Sequence, residues 1–285
     1  MLGRLAFRLT HHLRKSNSLA ELARIRGEPW LPREVVLSRQ LARVVALLAH
    51  AERTVPYYRE AFRASGVRSE DVRSLADLAS LPILTKDVLR ERREELVSSA
   101  ADRSTLLAHH SGGSTGIPVS FYRDRSYLDA SDAGMYRNLE QCGWRPGEMV
   151  AFVWGFDERL NRMPRIEFVL RQHLRRAWQL DPFASGPEDM DRWVRTWRRI
   201  RPSVVHGYAS TIARFAEHLL ATGQRVGPLR GVFTTAERLY PPQRAAIERA
   251  FGCHAYDQYG SSEAQNIAVE CPHGGMHVNA DYCVL

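Results

Sequence analysis

Hydrophobic residues recur at helical spacing in the first part of the chain. Between Arg33 and Arg53, apolar side chains fall on one helical face, namely Leu37, Leu41, Val44, Val45 and Leu48. Thr85 belongs to a residue type that caps helices, and a charged stretch that ends near Val97 follows it. The pattern predicts a helical N-terminal segment over residues 1–100, packed on a main domain over residues 101–285.

The second half of the chain alternates short apolar runs with helical patterns. We expect strands at 119–122, 149–153, 203–205, 231–233 and 254–258, and helices at 126–141, 189–201, 211–221 and 242–250. Such alternation predicts an α/β fold with mixed or parallel sheets flanked by helices, and with ligand-binding loops at the carboxyl ends of the strands. The last four residues, 282–285, are predicted to lie in a further strand.

Composition and charge narrow the class of protein. A hydrophobic content of 44% in 285 residues suffices for one large core or two modest ones. The net charge of +8 comes from arginines spread along the chain, because only Lys15 and Lys86 are lysines. No nucleic-acid-binding signature accompanies this charge, so nucleic acid is not an expected partner.

The cysteines and the N-terminus indicate the compartment. The 4 cysteines lack the paired spacing of a disulfide framework. Charged residues interrupt the apolar positions of residues 1–15, so neither a cleavable signal nor a transmembrane segment is predicted there. A cytoplasmic location is the simplest expectation.

Two loops far apart in the sequence carry the candidate chemistry. The segment from His110 to Pro118 combines glycines with hydroxyl residues, and glycine lets several backbone N–H groups converge on an anion. It is not a Walker loop, because Ile117 and Pro118 follow Gly116 where that motif needs Lys and then Ser or Thr. A plain turn between two strands is the alternative. The segment from Tyr259 to Glu263 adds an aromatic ring, two hydroxyls and a carboxylate, and together the loops predict an ATP site.

The two loops resemble the phosphate-binding loop and the aromatic-Gly-x-x-Glu loop of the adenylate-forming superfamily. Within that superfamily, the chain is most similar to the branch of phenylacetate-CoA ligase and CapK. Further segments carry the resemblance, which runs from about Leu41 to the end of the chain: 55–59, 81–86, 206–210 and 235–239. It implies ATP-dependent activation of an aryl or acyl carboxylic acid to an acyl-adenylate with Mg²⁺, followed by transfer to CoA or another thiol.

The resemblance also implies roles for individual residues. The residues that would embrace the β- and γ-phosphates are Ser111, Gly112, Gly113, Ser114, Thr115 and Gly116. Those that would line the adenine and α-phosphate site are Ala236, Glu237, Tyr259, Gly260, Ser261 and Ser262. Glu263 would help to hold Mg²⁺, and we expect Glu263, Ser262 and Thr115 to be catalytic. A core aromatic residue and a solvated acid are the alternatives for Tyr259 and Glu263.

One position departs from the family's pattern. Many relatives carry Lys where this chain has Ile117, so Arg123 or Arg125 would have to supply that positive charge.

Two further groups of residues suggest sites. Trp154 and Tyr208 each follow a predicted strand and could form an apolar pocket for the acid, although aromatic residues there also serve as core. A second group combines thiols and imidazoles that suit tetrahedral Zn²⁺: Cys253, Cys271, His273 and His277. A small apolar cysteine with surface histidines is the alternative to zinc.

The last residues of the chain suggest that a C-terminal domain is missing. By resemblance, full enzymes of the superfamily continue into a small C-terminal domain with a lysine that assists adenylation, and neither Lys15 nor Lys86 lies in that position. We therefore expect the large N-terminal domain of an adenylating enzyme, with its small domain missing. A catalytically impaired nucleotide-binding relic and half of a split ligase remain alternatives, and a homodimer is left open.

Overall fold

A computed structural model of the protein describes residues 2–110, 119–155, 163–184 and 186–285. The N-terminal part is helical, with short 3₁₀ turns between the helices α1 (Leu2–Leu13), α2 (Ser18–Ile25), α3 (Arg33–Thr54), α4 (Pro56–Ser65) and α5 (Lys86–Glu91). Helix α3 confirms the helix expected over 33–53. Thr85 caps α5, because its Oγ1 accepts a hydrogen bond of 3.3 Å from the backbone N–H of Val88. The charged stretch does not continue as one helix to Val97: α5 ends at Glu91 and a 3₁₀ turn follows.

A two-stranded hairpin flanks the glycine-rich segment. Strand β1 (Leu107–His110) pairs antiparallel with β2 (Ser120–Arg123), from Leu107 opposite Arg123 to His110 opposite Ser120. Strand β2 matches the strand expected at 119–122. The segment therefore connects two adjacent strands, as its position in the sequence predicted.

The main sheet has seven strands in the described chain: β3 (Val150–Val153), β4 (Ala177–Leu180), β5 (Val204–Tyr208), β6 (Gly231–Thr235), β7 (Ala255–Tyr259), β8 (Ala268–Glu270) and β9 (Met276–Val278). Their spatial order is β4-β3-β5-β6-β7-β8-β9. The first five are parallel, and the last two are antiparallel to their neighbours. The predicted α/β class, with a mixed sheet flanked by helices, is confirmed.

Helices cover both faces of this sheet: α6 (Arg125–Glu140), α7 (Arg165–Arg175), α8 (Pro187–Ile200), α9 (Ala209–Thr222) and α10 (Pro241–Phe251). On one face, Trp197, Phe215 and Phe251 from α8, α9 and α10 pack in a core with the inward residues of the strands. On the other face, residues of α1, α2 and α6 pack against Phe233 and Tyr256. Burial on both faces explains why β3 is wholly apolar and why β5 begins with two valines.

The C-terminal residues correct one expectation. Residues 282–285 do not lie in a strand; the backbone N–H of Tyr282 bonds the carbonyl oxygen of Asn279 at 2.8 Å and closes a turn. The side chain of Gln40 in α3 donates a 2.9 Å hydrogen bond to the carbonyl oxygen of Cys283, so this carbonyl bonds a side chain rather than a strand. Among the described residues, no helix is both long and apolar enough to cross a membrane.

Candidate functional site

The carboxyl ends of β3, β5, β6 and β7 lie at one edge of the sheet, because these strands are parallel. Trp154 directly follows β3, Tyr208 ends β5, Ala236 and Glu237 follow β6, and Tyr259 ends β7. Residues singled out from four distant motifs therefore share one edge of the sheet.

Two aromatic side chains stack on each other at this edge. The rings of Trp154 and Tyr208 have centroids 4.6 Å apart and an interplanar angle of 9°. Gln179 holds the backbone after β3, because its Nε2 donates to the carbonyl oxygens of Trp154 (3.4 Å) and Gly155 (3.2 Å). Trp154 remains 38% exposed, so part of the stack is open to solvent at this edge. Burial raises the pKa of Tyr208, and the nearby Glu237 acts in the same direction, so this phenol is neutral.

The strands that carry this stack approach closely at Gly207. A Cβ atom at this position would overlap the carbonyl oxygen of Val153 and would lie 2.8 Å from the Cβ atom of Val153. Glycine therefore permits the spacing of β3 and β5 directly below the two aromatic rings.

The loop after β6 contains an unusual backbone conformation. Ala236 has a φ of +66°, a region that costs a residue with a Cβ about 1–2 kcal/mol. The next residue, Glu237, accepts a 2.8 Å hydrogen bond through Oε2 from the backbone N–H of Ser210, in the first turn of α9. A carboxylate at a helix N-terminus is favourable, and this contact joins the β5 and β6 loops.

The loop after β7 is held through its backbone. The carbonyl oxygen of Ser262 accepts a hydrogen bond from the Arg123 guanidinium, and that of Glu263 accepts one from the Tyr127 hydroxyl at 3.1 Å. The ring of Tyr259 remains 60% exposed. Glu263 is also exposed, and its carboxylate interacts electrostatically with the His109 imidazole. Both side chains are therefore available to a ligand.

The two arginines considered as substitutes for a lysine at position 117 make contacts within the protein. The guanidinium of Arg123 bonds Ser262 and lies 5.2 Å from the ring centroid of Tyr127. Arg125 forms an ion pair with Asp129 at 3.4 Å. Arg123 thus links β2 to the Tyr259–Glu263 loop.

A cavity of about 410 Å³ lies beside that loop. Its lining includes Glu263, Tyr122 and Tyr127, together with Leu89 and Arg93 of the N-terminal helical segment. The sequence did not predict this cavity, because its walls come from segments far apart in the chain.

A buried polar pair was also missed as a site. The imidazole Nε2 of His206 lies 2.8 Å from Oε1 of Gln258, across the intervening strand β6. Burial lowers the pKa of His206 to about 4, although the bond to Gln258 opposes the shift, so the imidazole is neutral at physiological pH. Alternation along β5 predicts only that His206 and Tyr208, two residues apart, point to the same face, so no sequence signal indicated the bond to Gln258.

The structure does not describe the candidate residues of the glycine-rich loop. The glycine-loop residues Ser111, Gly112, Gly113, Ser114, Thr115 and Gly116 lie outside the described residues.

The proposed zinc ligands Cys253, Cys271, His273 and His277 require a correction. The described residues contain no group of three or more His, Cys, Asp or Glu side chains that could hold a metal. Cys253 packs against the apolar core, and burial raises its pKa to about 12, so it is a protonated thiol. The sequence spacing suggested a cluster that the fold does not form.

Comparison with known proteins shows which proteins this chain is similar to. CapK from Staphylococcus aureus is 22% identical over 240 residues, which cover 78% of this chain and 49% of that protein. Phenylacetate-coenzyme A ligase from Aromatoleum evansii is 28% identical over 240 residues, covering 81% of this chain and 52% of the ligase. The chain is thus similar to phenylacetate-CoA ligases and to CapK over about four fifths of its length. No family model matches it.

A solved structure has the same fold as this chain. 2-Hydroxyisobutyryl-CoA ligase in complex with 2-HIB-AMP and CoA superposes with a TM-score of 0.70 at 22% identity, covering 87% of this chain and 55% of that one. The fold is thus that of the N-terminal part of an acyl-CoA ligase. The chain spans about half the length of the curated relatives it matches.

Proposed function

We propose that this chain forms the adenylate-binding part of an ATP-dependent acid–CoA ligase for an aryl or acyl acid. The observation that carries the proposal is the meeting of the β3, β5, β6 and β7 loops at one sheet edge, with the ring of Tyr259 and the Trp154–Tyr208 stack exposed there. Its relationship to phenylacetate-CoA ligases supports the same activity.

The reaction has two steps. A carboxylate oxygen of the acid attacks the α-phosphorus of ATP, a P–O bond forms, and pyrophosphate leaves with the electrons of the broken bond. The thiol sulfur of CoA then attacks the acyl carbon, AMP leaves, and the thiol proton goes to solvent. Both steps develop negative charge that the site must stabilise.

The proposal assigns a role to each candidate site residue that the structure describes. Tyr259 stacks on the adenine, while Ala236, Glu237, Gly260 and Ser261 line the nucleotide pocket. The Ser262 hydroxyl donates to the α-phosphate. Trp154 and Tyr208 hold the apolar body of the acid, and their contact excludes water from it.

The residues present suit Mg²⁺ delivered with ATP. This ion usually takes one or two protein carboxylates together with phosphate oxygens and water, so it does not need a protein cluster. The exposed Glu263 carboxylate fits that need. When bound, the ion would neutralise phosphate charge.

The glycine-rich loop completes the proposal outside the described residues. Its backbone N–H groups and hydroxyls, from Ser111 to Gly116, would hold the β- and γ-phosphates, with Thr115 acting as a catalytic donor. A cytoplasmic location, where ATP and CoA are available, forms part of the same proposal. Dimer formation does not.

ATP–pyrophosphate exchange tests this function. The protein is incubated with ATP, Mg²⁺, labelled pyrophosphate and each member of a panel of aryl and acyl acids, and CoA thioester formation is then measured. Acid-dependent exchange supports the proposal. Nucleotide binding without exchange for any acid would favour the impaired relic or the half of a split ligase. Absence of nucleotide binding would contradict the proposed function and these alternatives.

A further inference from the structure

Two neighbouring helices, α1 and α7, carry large aliphatic side chains that remain exposed. Each of these side chains is between 40% and 84% exposed. They are Leu5, Leu9 and Leu13 of α1, and Ile166, Leu170 and Leu174 of α7. The spacing of four residues within each helix places its three side chains along one stripe. We call these six residues the aliphatic patch.

The helices that carry the two stripes lie against each other. The Thr10 hydroxyl of α1 lies 3.0 Å from the carbonyl oxygen of Leu174 in α7, which is hydrogen-bonding distance. Single exposed apolar residues are common on protein surfaces, but a group of them on adjoining helices is typical of an interaction site.

Neither helix needs the aliphatic patch to pack on the protein. The ring of Phe7, on the inner side of α1, is buried with its centroid 5.5 Å from that of Tyr136 and 6.3 Å from that of Trp144. In α7, the ring of Phe168 packs 6.0 Å from that of Trp178. Both helices are therefore anchored through other faces, and the aliphatic patch is left on the outside.

The sequence around the aliphatic patch is basic. Residues 1–20 contain no Asp or Glu, and their Lys and Arg residues are all exposed: Arg4, Arg8, Arg14 and Lys15. Helix α7 has the single acid Glu167 against three arginines, Arg165, Arg171 and Arg175.

The positive charges of the two segments lie close together. Burial lowers the pKa of Arg175 to about 10, and repulsion from Arg14 and Arg171 acts in the same direction, whereas Asp132 of α6 opposes it. Cationic side chains are therefore concentrated where α1 meets α7, and an anionic partner would relieve their repulsion.

The chemistry of this surface favours one kind of partner. A two-fold dimer through the aliphatic patch would place the basic residues of one copy near those of the other. Protein partners usually rely on aromatic anchors at the centre of the interface, and the aliphatic patch contains only Leu and Ile. An anionic lipid surface complements both features, because its acyl chains accept aliphatic side chains and its headgroups attract Lys and Arg.

We propose that α1 and α7 dock this protein on an anionic membrane surface, with the aliphatic patch among the acyl chains and the basic residues against the headgroups. The helices lie in the interface and do not cross the bilayer. This inference is independent of the proposed function, because it uses no residue of the candidate adenylate site.

Vesicle flotation tests the proposal. The protein is mixed with vesicles of phosphatidylcholine alone or of phosphatidylcholine with phosphatidylglycerol, and the bound fraction is measured over a range of lipid concentrations. We expect at least about tenfold tighter binding to the anionic vesicles, and raising the salt concentration should reduce this preference. No binding to either vesicle, or equal binding to both, would overturn the inference and leave the proposed function intact.

Leucine variants locate the apolar contact. Leu9→Gln with Leu170→Gln should weaken binding to the anionic vesicles by about tenfold or more, because two side chains no longer enter the apolar region. Leu37→Gln with Leu47→Gln is the matched control, since both of these leucines are exposed on α3, and it should bind as the wild type does. Equal binding by the two double variants would contradict insertion of the aliphatic patch.

Arginine variants separate a local basic surface from the net charge of the chain. Arg4→Gln with Arg8→Gln should reduce the preference for anionic vesicles about fivefold or more. Arg33→Gln with Arg63→Gln removes the same charge from exposed positions on α3 and α4 and should keep most of the preference. Equal reductions would show that only the net charge acts.

Sedimentation of the protein without lipid tests the other occupant of the aliphatic patch. We expect Leu9→Gln with Leu170→Gln to leave the oligomeric state unchanged. A dimer that forms in the wild type and is lost in this variant would assign the aliphatic patch to a second copy of the chain and overturn the inference.

Discussion

Burial controls the chemistry of individual residues at the candidate site. His206 shows this most clearly, because desolvation lowers its pKa from 6.5 to about 4. The neutral imidazole keeps a defined donor and acceptor at physiological pH. The same group must make the protein sensitive to acid, because the unfolded chain binds a proton at a higher pH than the folded one.

The stability of the protein should therefore fall between pH 6.5 and pH 4. Above pH 6.5 the imidazole is neutral in both states and costs nothing; as the pH falls through this window, protonation favours the unfolded chain by roughly 3 kcal/mol in total. Urea unfolding at pH 7 and pH 4.5 should show this loss in the wild type and a smaller one in His206→Phe/Gln258→Met. Equal losses in the two proteins would show that His206 is not desolvated.

At the scale of secondary-structure elements, the close approach of β3 and β5 positions the aromatic stack. We predict that Gly207→Ala destabilises the protein by about 1–3 kcal/mol or more, because the added methyl group overlaps the backbone of Val153. It should also weaken binding of phenylacetyl-sulfamoyladenosine, a stable mimic of the acyl-adenylate, by displacing Trp154 and Tyr208. Gly227→Ala is the matched control, because a Cβ there meets no atom within 4 Å. Similar urea midpoints for both variants would contradict the packing of these strands.

The elements that the sequence predicted share one physical property. Strands β3, β5 and β6 each contain a short apolar run that packs on both faces of the sheet, and helices α9 and α10 follow with clear periodicity. Strands β8 and β9 were missed because each has only three residues, and all residues of β9 are exposed. Such short strands form through pairing with neighbours rather than through local propensity.

The candidate site was predictable only in part for the same reason. Loops after parallel strands converge by topology alone, so strand order sufficed to bring Trp154, Tyr208, Glu237 and Tyr259 to one edge. The His206–Gln258 bond depends on the register of three strands, which sequence spacing does not specify. The zinc prediction failed because it relied on sequence proximity. Cys271 and His277 are close along the chain, but the fold does not bring Cys253 to them.

At the scale of the whole molecule, a buried ion pair joins α6 to the C-terminal residues. The guanidinium of Arg137 bonds Asp281 at 2.8 Å and Asn279 at 2.8 Å, and the Arg137 and Asp281 side chains are only 9% and 6% exposed. Helix α6 also provides Tyr127, which holds the Glu263 loop. The cluster thus links the last residues of the chain to the helix that supports the candidate site.

Replacing one partner of this pair should be costly. Arg137→Met leaves the Asp281 carboxylate buried without its cation, and we expect a loss of about 3–5 kcal/mol in the free energy of unfolding. Arg26→Met is the control, because the pair between Arg26 and Glu140 involves an arginine that is half exposed, and its loss should cost less than about 1 kcal/mol. Equal urea midpoints for the two variants would contradict a structural role for the buried pair.

The measurement that tests the central claim most directly is calorimetric titration with phenylacetyl-sulfamoyladenosine. The account predicts saturable binding at one site per chain. It also predicts that Tyr259→Ala weakens binding tenfold or more, because loss of a stacked aromatic ring costs about 1–3 kcal/mol per base. Trp30→Ala, which removes another exposed aromatic ring, should bind as the wild type does. Absence of binding by the wild-type protein, or equal affinity for the wild type and Tyr259→Ala, would contradict an adenylate site at the carboxyl edge of the sheet.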